Sequence, residues 1–265
     1  MRVGNLSIHP IHATSRVVRT FADAQGFASK AIAARCIANW ARLKFGRATV
    51  SQEATLRMRD VTLQVDLGRA DLISYWEIWY EHTYDDLPEF AAAGADCVVD
   101  VGANIGAFTL YEVLKKKAKL VVAYEPSPTT FHRLAGNLAV NSIQNVKPIN
   151  AAVGASPGEL PFVDSPFSVN SRVAENGQAG AQIIPCVTLD SSLKELGISN
   201  VDLIKIDTEG YEIEVLKGAT ETLGRTKRLV IEVHRASEKE ECDAVLVPRG
   251  FRFITRKKDL LFYSR

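Results

Sequence analysis

The sequence is poor in several of the features that most quickly reveal a protein's class. Its four cysteines, Cys36, Cys97, Cys186 and Cys242, form no CxxC pair. That argues against a structural zinc site or a thioredoxin-type redox motif. Scattered cysteines fit a reducing compartment, so a cytoplasmic location is expected. No apolar run approaches the roughly 18–20 residues that a membrane span needs. The start, MRVGNLSIHPIHATSRVVRT, has no apolar centre of the kind a secretory signal requires. Nothing repeats internally and no stretch is low-complexity.

A net charge of +1 excludes little, but its distribution is uneven. Residues 1–50 hold eight Lys/Arg and one acid, a net of +7. The remaining 24 basic and 30 acidic residues give −6. A basic arm therefore precedes a mildly acidic body. Within the arm, Val17, Phe21, Ala24, Ala28, Ala31 and Ile32 fall at helical spacing over residues 15–45, with Gly26 placed to split the run into two helices. The pattern suits a packing or dimerisation arm with a solvated basic face. It has no interleaved aromatic-basic motif for nucleic acid. ATLRMRDVTLQVDL, residues 54–67, reads as a small hairpin. The crowded Tyr75, Trp76, Trp79, Tyr80 and Tyr84 suit either a core face or a lid over a ligand.

From Ala95 onward the pattern changes. DCVVDV, KLVVAYE, VKPINAAV, VDLIKID and RLVIEVH are short runs rich in Val, Ile and Leu, mostly separated by helical stretches. Near-continuous apolar strands alternating with helices predict an α/β fold with a parallel sheet covered on both faces. The tail, FRFITR-KKD-LLFYSR, reads as a hairpin that adds an antiparallel strand. Residues 154–187, dense in Gly, Pro, Ser and Asn, stand where a crossover helix would otherwise lie. They read as short strands and a long loop of functional interest.

In open α/β sheets ligands bind beyond the carboxyl ends of the strands. The first strand ends at Asp100 and enters GANIG, where Gly102 permits a tight turn and Gly106 a close helix start. The second ends at Glu125, 25 residues later, suited to accept bonds from both hydroxyls of a ribose. The dinucleotide fingerprint GxGxxG needs a middle glycine where this chain has Asn104, which counts against NAD. A leading acid also disfavours a pyrophosphate. It suits a cationic amino-acid end such as that of S-adenosylmethionine (SAM).

VDVGANIGAFT, YEPSPTTFHRLAGNLAVN, TLD, VDLIKIDTEGYEIEVLKGA and VIEVH, in that order, resemble the successive motifs of the FkbM family of SAM-dependent methyltransferases. The resemblance covers residues 75–265 and leaves 1–74 as an N-terminal helical arm plus hairpin. It implies the Rossmann-like class I methyltransferase fold, a seven-stranded, mostly parallel sheet with an antiparallel C-terminal hairpin strand. It implies that Asp100, Gly102, Ala103, Asn104 and Gly106 form the loop at the methionine side. Glu125 would hold the ribose, Pro126 and Ser127 would shape the turn, and the stretch containing Ala152 and Val153 would lie near the adenine. Family members typically methylate a hydroxyl oxygen of a small molecule, often a natural product or a sugar.

An alcohol must lose a proton to accept a methyl, which calls for a base near the fourth and fifth strand ends. Asp207, Glu209 and His234 are the candidates. His234 or Asp207 would take the proton and Glu209 would orient the substrate, Asp207 also bordering the cofactor. His234 fits equally well as a strand-end histidine bonded to backbone. Asp207, Glu209, Glu212 and Glu232 form an acidic group, but acids are favoured in a helix's first turn anyway, so no metal is expected. His132 and Asn137 are expected on the surface. Asp190 or Ser192 is expected to cap the helix at 190–196. The partner expected is a small hydroxylated molecule rather than nucleic acid. Two rival functions are an RNA-directed ribose methyltransferase guided by the basic arm and a non-catalytic protein that keeps the fold to bind a partner. DTEGY in place of an Asp/Asn-Pro-Pro-aromatic turn weighs against an amino-methylating nucleic-acid enzyme.

Overall fold

A computed structural model describes residues 10–45, 47, 49–165, 171–174, 178, 180–235 and 237–265. The basic arm forms α1 (Pro10–Asp23) and α2 (Gly26–Lys44), broken where Gly26 takes φ +77°. A hairpin follows, β1 (Glu53–Arg57) with β2 (Thr62–Asp66). Next come α3 (Leu72–Tyr75), a π-helical turn Trp76–Tyr80 and the short α4 (Pro88–Ala91). Tyr75, Trp76, Trp79, Tyr80 and Tyr84 are all buried, so the aromatic segment is core rather than lid.

The α/β body runs β3 (Val98–Val101), α5 (Ala107–Leu114), β4 (Val121–Tyr124), α6 (Pro128–Val140) and β5 (Val146–Ile149). The run VKPINAAV does not continue as one strand. Ala152–Val153 form β6 in a second sheet with β7 (Gly158–Val163), β8 (Arg172–Val173) and β9 (Gln182–Val187), in the order β6-β9-β7-β8. The Gly/Pro-rich segment is thus largely a small sheet; residues 166–170, 175–177 and 179 within it lie outside the described residues. The chain continues through α7 (Leu189–Glu195), β10 (Val201–Ile206), α8 (Glu212–Lys217), α9 (Thr220–Gly224) and β11 (Thr226–Glu232). It closes with α10 (Glu238–Leu246), β12 (Arg252–Lys257) and β13 (Leu260–Ser264).

The main sheet has seven strands in the order β12-β13-β11-β10-β3-β4-β5. β11, β10, β3, β4 and β5 pair in parallel, and β13 pairs antiparallel with both β11 and β12. This is the class I methyltransferase fold. The strands are apolar on both sides because both sides are covered. Val98, Val121, Ala123, Leu203 and Val230 feed one core, while Val99, Val101, Val122, Ile204, Ile206 and Ile231 feed the other. The period of two along each strand divides them.

The first core also contains Ala33, Leu56, Leu63 and Val65 of the arm and hairpin, packed together with Phe108, Leu134 and Leu138. Asn137 belongs here, against expectation. It is fully buried, its Nδ2 donates to the carbonyls of Ile105 (2.8 Å) and Gln64 (3.3 Å), and its Oδ1 accepts from the Gln64 N–H. A helical asparagine facing a hairpin's backbone satisfies groups that would otherwise be buried unpaired. His132 is exposed, as expected. The basic arm also turns charge inward, Arg16 pairing with Glu81 and Arg19 donating to the Tyr80 carbonyl at 3.0 Å. The cap of α7 is Thr188, whose side chain accepts from the Ser191 N–H. Asp190 instead accepts from the N–H groups of Glu221 (3.0 Å) and Thr222 (2.7 Å), bracing the start of α9.

Candidate active site

The loop after β3 is held from several directions. The N–H groups of Gly102 and Ala103 donate to the Tyr124 carbonyl at 3.0 and 2.9 Å, which ties the loop to β4. Gly102 (φ +79°), Asn104 (φ +53°) and Gly106 (φ +88°) all lie in the left-handed region. Gly102 admits no side chain, since a Cβ there would fall 1.8 Å from the Asp207 carbonyl oxygen. The loop thus rests directly on the backbone at the end of β10. Along the loop Gly102 and Asn104 keep some exposure, while Ala103, Ile105 and Gly106 turn inward.

Glu125, at the end of β4, is buried. Its Oε2 accepts from the Asn104 N–H (2.8 Å) and its Oε1 from the Ser127 N–H (2.9 Å). Each oxygen keeps a second lone pair. Burial pushes this carboxyl up to about 7, against the pull of the two N–H donors. Asn150 Nδ2 donates to the carbonyls of Glu125 (2.8 Å) and Pro126 (3.1 Å), fixing the turn, and Ser127 Oγ caps α6 by accepting from Thr130. Ala152 and Val153 are buried, Ala152 in a small core with Phe162, Ile184 and Cys186 and Val153 in the second large core.

Asp100 is fully buried under the loop. Its Oδ2 accepts from Thr109 Oγ1 (2.7 Å) and its Oδ1 lies 3.2 Å from Lys205 Nζ. Its charge is therefore matched inside the protein, and it braces the loop from below instead of offering a free carboxylate to a ligand. Lys205 is the residue that sequence reasoning passed over. Its ammonium also donates to the Gly102 carbonyl (2.7 Å) and lies 3.5 Å from Asp207 Oδ2. Burial would lower the lysine's pKa, but Asp100 and Asp207 carry it above its usual value. The available signal was the lone lysine of LIKI, the part of β10 that is otherwise apolar from Leu203 onward.

The structure brings Asp207, Glu209 and His234 together, with one possible donor atom from each within 4.8 Å of the others. His234 Nε2 is 3.9 Å from Asp207 Oδ1 and 3.5 Å from Glu212 Oε1, and Nδ1 is 3.7 Å from Glu209 Oε2. The backbone N–H of His234, not its ring, is bonded locally, donating to Glu238 Oε2 at 2.5 Å. Glu232 joins the group from the end of β11, accepting from Tyr84 Oη at 3.0 Å. Burial, then the neighbouring Asp207, Glu232 and Glu212, pushes Glu209 up to about 9. Burial followed by Asp207 raises Glu232 well above the carboxylate range. Glu77, in the π-helical turn, is pushed up to about 7 by burial, with Asp207 adding to the rise. Tyr84 and Glu77 were hidden in a segment legible only as aromatic.

The family model for the methyltransferase FkbM domain matches residues 100–255. The chain belongs to the FkbM methyltransferase family. Methyltransferase sdnD of Sordaria araneosa is 31% identical to it over 246 residues, covering 75% of this chain and 93% of that protein. The 31-O-demethyl-FK506 methyltransferase FkbM of Streptomyces tacrolimicus is 28% identical over 240 residues, covering 78% of this chain and 92% of that protein. The hexuronic acid methyltransferase AglP of Haloferax volcanii is 30% identical over 151 residues, covering 57% of this chain and 61% of that protein.

The protein is thus a SAM-dependent methyltransferase, and its residues fit that cofactor. A glycine-lined loop allows close approach, and Glu125 is fixed in place with lone pairs to spare for ribose hydroxyls. Among the described residues no helix is long and apolar enough to cross a membrane, and the four cysteines are free and buried.

Proposed function

We propose that this methyltransferase transfers the methyl group to a hydroxyl oxygen of a small molecule, a natural product or a sugar. The observation that carries the reading is the position of Asp207, Glu209 and His234. They stand together beyond the ends of two adjacent strands, and Asp207 touches the cofactor loop through its backbone. Bound SAM supplies a methyl on a positively charged sulfur, a leaving group that needs no activation. Catalysis by the chain itself is then positioning of the acceptor and handling of its proton. As the oxygen–carbon bond forms, the carbon–sulfur bond breaks with its electron pair going to sulfur, and the hydroxyl proton passes to His234 or Asp207. Asp207, Glu209 and His234 are the groups that would receive the hydroxyl. Gly102, Asn104 and Glu125 would hold the cofactor, with Asp100 and Lys205 supporting the loop. The relatives' names agree in kind, one being a methyltransferase for a 31-O-demethyl compound and another for a hexuronic acid.

The test is to incubate the protein with methyl-deuterated SAM and a panel of hydroxylated acceptors, uronic acids and macrocyclic alcohols among them. The labelled product is then located by mass spectrometry and NMR. A label on oxygen is expected. A label on nitrogen or carbon would overturn the reading.

A further inference from the structure

We propose that the exposed face of α2 docks on an anionic lipid surface, lying flat against it with Phe27 and Phe45 inserted at its two ends.

Two observations coincide in this part of the chain. The first is charge. Residues 24–52 hold Lys30, Arg35, Arg42, Lys44 and Arg47 and no aspartate or glutamate. The second is exposed apolar surface. Among the described residues, the three most exposed large hydrophobic side chains are Phe27 (90%), Val50 (82%) and Phe45 (79%), all within this same basic segment. Single exposed apolar residues scattered over a surface are ordinary, but a gathering of the most exposed ones in one segment marks a contact.

Helix geometry puts these features on one face. At about 3.6 residues per turn, Phe45 follows Phe27 by about five turns, so both lie on one line of the helix about 27 Å apart. Phe45 is the C-cap of α2. Between them on that line stand Ala31, Ala34 and Ala38, all exposed. Lys30 lies on one flank and Arg35 and Arg42 on the other, all exposed. The opposite face is occupied. Ala33 and Cys36 are buried in the first core, and Ile32, Ile37 and Trp40 pack against it. The body therefore holds α2 by one side. The other side is a flat strip edged by cations, with a phenylalanine at each end.

The order of residues along the strip decides the occupant. A protein partner is gripped by large side chains near the middle of the contact, with polar groups around them. Here the middle is alanine and the rings stand at the ends. A second copy of the chain would bring like charges together, because pairing in either direction sets the Lys30, Arg35 and Arg42 flanks of two helices side by side. Nucleic acid favours rings beside the cations, on which bases can stack, and the exposed residues between Phe27 and Phe45 include no ring. A lipid surface requires neither a central anchor nor a matched shape. Rings enter the headgroup boundary, and the stems of lysine and arginine lie along it while their charged ends reach the phosphates. Each cation held near anionic lipid strengthens binding about fivefold.

The test uses the full chain in sedimentation with phosphatidylcholine vesicles, prepared with and without phosphatidylserine, at low and high salt. Binding at least tenfold stronger to the phosphatidylserine vesicles is expected, falling as salt rises. Phe27→Ser with Phe45→Ser should weaken it tenfold or more, and so should Lys30→Glu with Arg35→Glu. Circular dichroism and SAM calorimetry establish that each variant keeps its fold. Phe27→Trp gives a second readout, since its fluorescence should shift to the blue when anionic vesicles are added. No binding to anionic vesicles would overturn the proposal, as would equal binding to vesicles without phosphatidylserine. Binding that neither pair of substitutions weakens would overturn it too, because another surface would then be responsible. If vesicles do not bind, a dimer dispersed by Phe27→Ser with Phe45→Ser would identify a second copy as the occupant. Single-stranded RNA binding lost in Lys30→Glu with Arg35→Glu would identify a nucleic acid instead.

Discussion

Replacing Gly102 with alanine isolates the most demanding contact in the cofactor loop. Two costs add. Alanine at φ +79° is strained by about 1–2 kcal/mol. Its Cβ would also lie 1.8 Å from the Asp207 carbonyl oxygen, a backbone atom that cannot swing aside as a side-chain end could. Relieving such an overlap costs about 1–3 kcal/mol more. If the loop moves to relieve it, Gly102 and Asn104 leave the positions proposed to hold SAM, and a loss of about 2–4 kcal/mol in binding raises the dissociation constant by roughly 30–1,000-fold. Gly94 provides the control, since it has the same φ of +79° but nothing within 4 Å of its would-be Cβ. SAM calorimetry and thermal melts of Gly102→Ala and Gly94→Ala separate the two costs. The Gly94 variant should lose a little stability and no cofactor affinity. If both variants bind SAM equally well, the contact between loop and strand end is not what positions the cofactor, and the reasoning fails.

Other consequences can be measured. Glu125→Gln should weaken SAM tenfold or more in calorimetry, because an amide NH₂ would oppose the N–H of either Asn104 or Ser127 where a carboxylate oxygen accepts from each. The same residue sets a pH dependence. Its carboxyl titrates near 7 in the fold against about 4.5 in the unfolded chain, so between those values the folded state holds the extra proton. Stability should therefore fall as pH rises from about 4.5 to 7, and melts of cofactor-free Glu125→Gln should show a flatter slope there. Lys205→Met should cost about 3–5 kcal/mol in urea unfolding, since it strands Asp100 with no counter-charge, and adding Asp100→Asn should recover part of that loss. Asn137→Leu should destabilise by about 1–3 kcal/mol in the same assay by orphaning the Ile105 and Gln64 backbone groups; an unchanged midpoint would mean that the hairpin finds other partners.

Much of the main sheet was legible because buried parallel strands must be apolar on both faces, and the runs from VVDV to VIEV show that directly. The convergence of Asp207, Glu209 and His234 was legible for a related reason: each lies just past a strand's carboxyl end, and parallel strands bring those ends to one edge. Other features were invisible because they depend on which face a residue turns to. Asn137 reads as surface on a helix of mixed polarity, but the hairpin covers that face. Asp100 reads as a ligand for a cation, and it is, but the cation is Lys205, more than a hundred positions away in sequence. Thr188 took the capping role from Asp190 because Asp190 turns to the next helix. The short strands of 154–187 were legible, but their assembly with Ala152–Val153 into the sheet β6-β9-β7-β8 was not, since its strands pair across as many as 34 residues, from Ala152 to Cys186.

That small sheet has a hydrophobic centre of its own, formed by Ala152, Phe162, Ile184 and Cys186 and distinct from the two large cores. Among the described residues, the loop after β3 and its lysine strut take their hydrogen bonds and ion pairs from outside β7 and β8, and Arg172 of β8 reaches the strand-end carboxylates through its charge on Glu209. An enzyme arranged this way invites segment exchange. Replacing the stretch between β6 and β9 with that of a relative is expected to leave SAM binding intact, which calorimetry checks, because the supports of Glu125 and of the loop after β3 lie elsewhere.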